Sequence, residues 1–248
     1  MATPRRKKAT RGGGRRQRPR ASWIIAATVA GLAVGGVLIA YVAWLGDEDS
    51  PGGADQATVA AGHVCTSGRV PVDGSTCGQD SAPVTVVEYS EFLCPFCARA
   101  ALNTVREIEE EYVAAGKVKL EFKHFIVHGE EAVLAAGAAE CASEQDAFWE
   151  YHDKLFLNQG SVDFSVENLN QFAEELELDS DSFNTCLDSE RYVDKLAADI
   201  DEARQRGVDA TPTFFVGQTK VVGAKPYSEF KTAIENELAR LGETGEGE

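Results

Sequence analysis

A β-branched run, Val84-Thr85-Val86-Val87-Glu88-Tyr89, leads within a few residues into Cys94-Pro95-Phe96-Cys97, and apolar residues recur at helical spacing immediately afterwards (Ala98, Ala101, Val105, Ile108, Tyr112). The cysteine pair therefore sits where a buried strand ends and a helix begins. Proline is at home in the first helical turn, where its missing N–H costs nothing. Residues three apart on that turn have Cα atoms roughly 5–6 Å apart, which a disulfide spans. The free N–H groups and positive dipole end of the helix favour a thiolate at Cys94. A stabilised thiolate favours the reduced pair, so the disulfide becomes a better oxidant. Cys97, one turn further in, is expected to be more buried and to act as the resolving thiol. A zinc site needs two more ligands at suitable spacing. There is no second Cys-x-x-Cys, and His63, His124, His128 and His152 show no paired ligand spacing, so no metal is expected.

Gly116 stops the first helix, and Val118, Leu120, Phe122 and His124 then alternate with Lys117, Lys119 and Lys123 as a second strand. Helical patterns follow at 130–142, 147–157, 166–177 and 190–206, strands return at 213–216 and 220–222, and a last helix is expected over 227–241. A β-α-β start and a β-β-α finish, with the helical block at about 129–206 treated as an insertion, predict an α/β domain over 82–241 in which helices cover a small sheet. That is how a thioredoxin-like core with an inserted helical subdomain reads.

The N-terminal part has another character. Nine Lys or Arg lie between Arg5 and Arg20 with no acid before Asp47, which leaves 15 basic residues against 40 acidic ones in the rest. Residues 23–45 are apolar apart from Thr28 and small glycines, with Trp23 at one end and Tyr41 and Trp44 at the other. Such a stretch is long enough to cross a hydrocarbon core of about 30 Å with some tilt. The sequence thus predicts a basic cytoplasmic arm (1–22) and one transmembrane anchor (23–45). A linker (46–81) carrying a Cys65/Cys77 loop follows, and a disordered tail (242–248) ends the chain. By the positive-inside rule the domain after the anchor is extracytoplasmic on a single-pass membrane protein. A cleaved signal peptide is the alternative, but Tyr41-Val42-Ala43 is a poor cleavage site. The acidic outer part argues against nucleic acid as a partner.

Two further features accompany the cysteine pair. Glu88, six residues before Cys94 on the preceding strand, is placed to lie beneath the active-site helix and to accept or relay a proton. Thr211-Pro212-Thr213 opens the third strand, where a proline suits the first position. A cis bond there would be a deliberate feature. The other four cysteines allow several pairings. Cys141 with Cys186 would close about 45 residues, worth about 4 kcal/mol, and Cys65 with Cys77 a shorter loop, worth about 3 kcal/mol. Both read as structural staples, with a second redox pair at Cys65/Cys77 as the alternative.

The stretch from Val84 to Cys97 resembles the active-site strand and helix start of DsbA-like thiol–disulfide oxidoreductases. Thr211-Pro212-Thr213-Phe214-Phe215-Val216 resembles their cis-proline strand, and Phe148-Trp149-Glu150-Tyr151-His152 with Leu155-Phe156 a helix of their inserted subdomain. The similarity covers roughly residues 82–240. It implies the thioredoxin-like fold, a cis bond at Pro212 facing Cys94, and a buried acidic role for Glu88. Substrate contacts would fall at Thr211 and at Pro95 and Phe96 between the cysteines. It also implies reduced or unfolded exported proteins as substrates, reoxidation by a quinone-linked membrane thiol oxidase of the DsbB or vitamin K epoxide reductase type, and no cofactor. The strongest oxidants of that family carry His between the cysteines, whereas this chain has Phe96, which implies a milder oxidant. Two rival readings are the same fold run as a reductase or isomerase, and a client-holding chaperone module.

Overall fold

The computed structural model describes residues 63–245. The basic arm and the apolar span 23–45 lie outside them. Among the described residues no helix is long and apolar enough to cross a membrane.

The strand that leads to the cysteines, β3 (Val84–Ser90), is buried almost throughout. It lies in a six-stranded sheet with β1 (Val72–Asp73), β2 (Thr76–Cys77), β4 (Val118–His124), β5 (Thr213–Val216) and β6 (Thr219–Val222), in the order β1-β2-β4-β3-β5-β6. β3 pairs parallel with β4 and antiparallel with β5, so Glu88 stands between Phe122 and Phe214. Strand residues alternate between faces. Val84, Val86, Glu88 and Ser90 therefore share one face, and Val87 and Tyr89 the other, where Phe125, Ala203, Val208 and Phe215 form a second small cluster.

Helix α1 follows β3 in the expected place. It starts with Pro95–Arg99 and continues through wider π-type stretches at Ala100–Val105 and Glu109–Val113, on either side of Arg106–Ile108. α1 and the C-terminal helix, α7 (Tyr227–Gly245), cover the face that carries Glu88, with Phe230 edge-on to Phe214 at 4.8 Å. Between β4 and β5 the chain forms α2 (Glu130–Ser143), α3 (Phe148–Asn158), α4 (Val166–Glu175), α5 (Ser180–Ser189) and α6 (Val193–Gln205). The insertion is seated by aromatic packing. Phe92, in the loop that delivers Cys94, stacks on Phe122 at 5.4 Å and meets Phe156 of α3 at 4.9 Å. Removal of so much aromatic surface from water fixes where the cysteine loop stands relative to sheet and insertion.

The structure differs from the sequence reading in three places. The segment expected as a linker contributes the β1–β2 hairpin, whose two-residue loop starts with Gly74 at φ +54°, a conformation glycine adopts freely. Strands of two residues have no periodicity to read. The expected helix at 190–206 starts only at Val193. Glu190, at φ +51°, instead ends α5, a helix the sequence reading left out and whose N-terminus is capped by the Asp179 side chain on the Ser182 N–H at 2.8 Å. The last helix extends past Leu241 to Gly245, where a frayed tail was expected.

Cys65–Cys77 and Cys141–Cys186 are both bonded, each with Cα atoms 5.6 Å apart, and all four residues are buried. The first ties the segment before the sheet to β2, and the second ties α2 to α5. Replacing Cys141 and Cys186 together by alanine is expected to lower the unfolding free energy by about 4 kcal/mol, and replacing Cys65 and Cys77 by about 3 kcal/mol, measured by denaturant titration of the oxidised proteins.

Candidate active site

Cys94 occupies the N-cap position of α1 with extended backbone, and Pro95 is the first helical residue. Its carbonyl already accepts the Cys97 N–H at 3.0 Å and the Ala98 N–H at 3.2 Å, so the sulfur faces the open end of the helix. Both thiols are free. Cys97 is fully buried and Cys94 only 4% exposed, while Phe96 between them is 54% exposed with the Arg99 guanidinium 5.0 Å from its ring centre. The dipeptide thus presents an apolar, cation-backed surface beside a shielded sulfur.

The second strand of the site arrives as the sequence suggested. The Thr211–Pro212 bond is cis, and the Thr211 carbonyl accepts from Cys94 Sγ at 3.5 Å. The turn into it is fixed by the Thr213 hydroxyl donating to the Ala210 carbonyl at 2.7 Å and by the Gly223 N–H donating to the Pro212 carbonyl at 2.7 Å.

These surroundings split the two thiols. The Cys94 thiol is lowered to about 5, first by the hydrogen bond from Cys97. The Thr211 side chain and the N–H groups of Cys97 and Phe96 add to that, against the opposing cost of burial. Cys97 is pushed far up, first by burial and then by the neighbouring Cys94. This split suits Cys94 to attack and to leave as a thiolate, and it makes ionisation of Cys97 costly without a proton partner.

Glu88 lies on the face of β3 beneath α1, buried, with Oε1 making no hydrogen bond within the protein. Burial raises its carboxyl to about 8, with Glu109 and Cys94 adding to the rise and Ser90 and His63 opposing it. Ser90, one step along the same face, was not singled out from sequence. Its hydroxyl sits close to both Glu88 and Cys97 without a fully formed hydrogen bond to either, and it eases the ionisation of both. Strand alternation from Glu88 was the available signal. Two other supports also escaped the sequence reading. The Gln159 side-chain amide, just beyond α3, donates to the carbonyls of Phe92 (2.6 Å) and Cys94 (3.1 Å). Buried Glu91 accepts the N–H groups of Val127 (3.0 Å) and His128 (3.2 Å) and contacts the His128 ring, which holds the loop after β4 against the cysteine loop. Neither contact follows from local pattern, because each spans more than 35 residues.

The pH consequence is direct. In the reduced full-length protein, thiolate absorbance near 240 nm is expected to titrate with a midpoint of about 5 and to vanish in Cys94→Ser. Thr211→Val is expected to move the midpoint upward, since it removes one hydrogen-bonding group from the thiolate.

Comparison with known proteins places this geometry. A thioredoxin family model (Thioredoxin_4) matches residues 72–236. Disulfide bond formation protein D of Bacillus subtilis is 30% identical over 71% of this chain and 83% of its own length. The crystal structure of oxidised BdbD from Bacillus subtilis superposes with a TM-score of 0.63 at 29% identity, covering 67% of this chain and 94% of that one. Na(+)/H(+) antiporter NhaA 3 of Salinispora tropica is 41% identical over 64% of this chain, which spans only 24% of the antiporter's length. The cysteine pair at the helix start, the cis-proline strand beside it and the helical insertion accord with these matches, and the chain belongs to the thioredoxin family, among its DsbA-like thiol–disulfide oxidoreductases.

Proposed function

We propose that this protein donates the Cys94–Cys97 disulfide to exported proteins from the outer face of a membrane. The observation that carries the reading is the opposed proton affinity of the two thiols, Cys94 low and Cys97 high. A client thiolate attacks Cys94 Sγ, the Cys94–Cys97 bond breaks, and Cys97 leaves. Protonated Glu88 supplies the proton that Cys97 takes up, with Ser90 beside both groups. A second client thiolate then attacks the client sulfur of the mixed disulfide and expels Cys94 as a stable thiolate. Two electrons pass from the client to the pair, and the client keeps the new disulfide.

In this reading the client backbone lies along Thr211-Pro212, and Pro95 and exposed Phe96 meet its side chains. The apolar span 23–45 with its basic arm anchors the domain, which works extracytoplasmically. A quinone-linked membrane oxidase takes the two electrons back from the reduced pair. Cys65–Cys77 and Cys141–Cys186 serve as staples, in keeping with their burial away from any attacking thiolate.

The test is oxidative refolding of reduced, unfolded ribonuclease by the full-length oxidised protein. One equivalent is expected to form one client disulfide per Cys94–Cys97 pair consumed. Cys94→Ser is expected to abolish the reaction, and Cys97→Ser, activated at Cys94 with a small thiol, to accumulate a mixed disulfide. Ribonuclease disulfides formed with Cys94→Ser at the wild-type level would overturn Cys94–Cys97 as the disulfide donor.

A further inference from the structure

Cys94 is held from both sides of β3. Thr211 comes from β5, on one side, and its carbonyl meets the Cys94 sulfur at 3.5 Å. On the other side lies β4, and there the insertion packs Phe148 and His152 of α3 on Phe122, with ring centres 5.6 and 5.2 Å apart. Gln159 follows the last residue of α3. Its side-chain amide donates to the Phe92 carbonyl at 2.6 Å and to the Cys94 carbonyl at 3.1 Å. Both partners are backbone carbonyls, which only accept, so the NH2 end of the amide must face them. That fixes the opposite end. Gln159 is half-buried, and its Oε1 makes no hydrogen bond among the described residues and is not shut off from solvent.

The turn around Gln159 is exposed as well. Gln159 forms a parallel bridge with Val162, with Gly160 between them facing open space. Leu157 is 59% and Val162 40% exposed, so an apolar side chain stands on either side of Gln159 along the chain. Single exposed apolar residues are ordinary. Here two of them bracket an open acceptor whose own amide is bonded to the reacting cysteine. An extended polypeptide has two hydrogen-bonding edges, each presenting N–H and C=O groups at alternate residues. A client laid along Thr211-Pro212 uses one edge there and turns the other towards the insertion. In a folded protein those outer N–H groups already have partners; in an unfolded chain they are available.

We infer that Gln159 is a client-binding residue, whose Oε1 accepts a backbone N–H from the client edge that faces away from Thr211. Leu157 and Val162 meet apolar client side chains beside it. The partner this turn selects is an extended, apolar stretch of unfolded chain around a cysteine. A thiol without an amide gains nothing from the contact. The same side chain holds the cysteine loop through its N–H groups, so the insertion ties client and cysteine together at one amide. This rests on Cys94–Cys97 being the disulfide donor. In the step concerned, the client thiolate attacks Cys94 Sγ, the Cys94–Cys97 bond breaks, and Cys97 takes up a proton. Gln159 exchanges neither electrons nor protons in it.

The experiment follows the reaction of the oxidised full-length protein with a single-cysteine peptide of apolar residues and with β-mercaptoethanol, which has no amide. The peptide is also N-methylated in turn at each residue flanking its cysteine. Gln159→Lys keeps donors for the two carbonyls and has no acceptor. It is expected to lower the ratio of peptide to β-mercaptoethanol rates about five-fold, the worth of one ordinary hydrogen bond. In the wild type, N-methylation at one position is expected to cost a similar factor, and in Gln159→Lys the same methyl group is expected to cost nothing further. A change that only disturbed the cysteine loop would slow both thiols together and leave the methylation penalty in place. An unchanged ratio in Gln159→Lys, or a methylation penalty that survives it, would overturn the role of Gln159. Val162→Ser serves if Gln159→Lys does not fold. It is expected to lower the same ratio about three-fold, and an unchanged ratio there would overturn client docking on this turn. Reaction of the peptide with Cys94→Ser at the wild-type rate would overturn the Cys94–Cys97 donor, and this inference with it.

Discussion

The protein's chemistry depends on one arrangement, a sulfur held at the open N-terminus of a helix. At Cys94 the first turn of the helix points the Phe96 and Cys97 N–H groups and the positive end of the helix dipole at the sulfur, and these favour negative charge. The neighbouring Cys97 thiol and Thr211 add to that environment from one turn away and from the adjacent strand. Everything that positions this sulfur is tertiary. β3 delivers the loop, Phe92 is clamped between Phe122 and Phe156, Gln159 binds the carbonyls of Phe92 and Cys94, and the Thr211–Pro212 bond brings a carbonyl to within 3.5 Å. The insertion is thus part of the site's frame as well as a cover for it.

A second constraint comes from below. A carboxyl with no partner inside a protein core is costly, and such groups stay protonated at the expense of their acidity. Glu88 lies in that environment two residues from Ser90 and on the face that α1 covers. The asymmetry of the two thiols makes such a group useful. Cys94 leaves as a thiolate without help, whereas Cys97, enclosed and next to another sulfur, does not. In the proposed exchange, the acid beneath the helix and the thiolate at its tip play complementary parts.

Much of this was legible in the chain. The buried strand, the Cys94-Pro95-Phe96-Cys97 helix start, alternation over 118–124 and the Thr211-Pro212 strand each carry a local signal of period or composition, and each is where it was expected. Glu88 stood out by its place six residues before Cys94 on that strand, and it is buried there. What escaped was what local pattern does not encode. The β1–β2 hairpin is too short to show a period, although Gly74-Ser75 is a fair turn signal. α5 was hidden because its Asp179 cap and Glu190 stop lie within a run of acidic residues that reads as solvated surface. Gln159, Glu91 and the buried contact between His63 and Glu109 act across 36 to 67 residues of chain. His63 in particular lay in what read as linker, and only the Cys65–Cys77 bond and the burial around it bring that residue into the core.

The account turns on the Cys94 thiolate being stabilised more than its disulfide, and the reduction potential of the pair reports that difference directly. Equilibration of the full-length protein against glutathione, with the Cys94–Cys97 state read by alkylation and mass, is the measurement to make. The account predicts a potential well above about -180 mV, at the oxidising end of the thioredoxin-like range. A value at or below about -250 mV would contradict it and would assign the pair to reduction of disulfides instead.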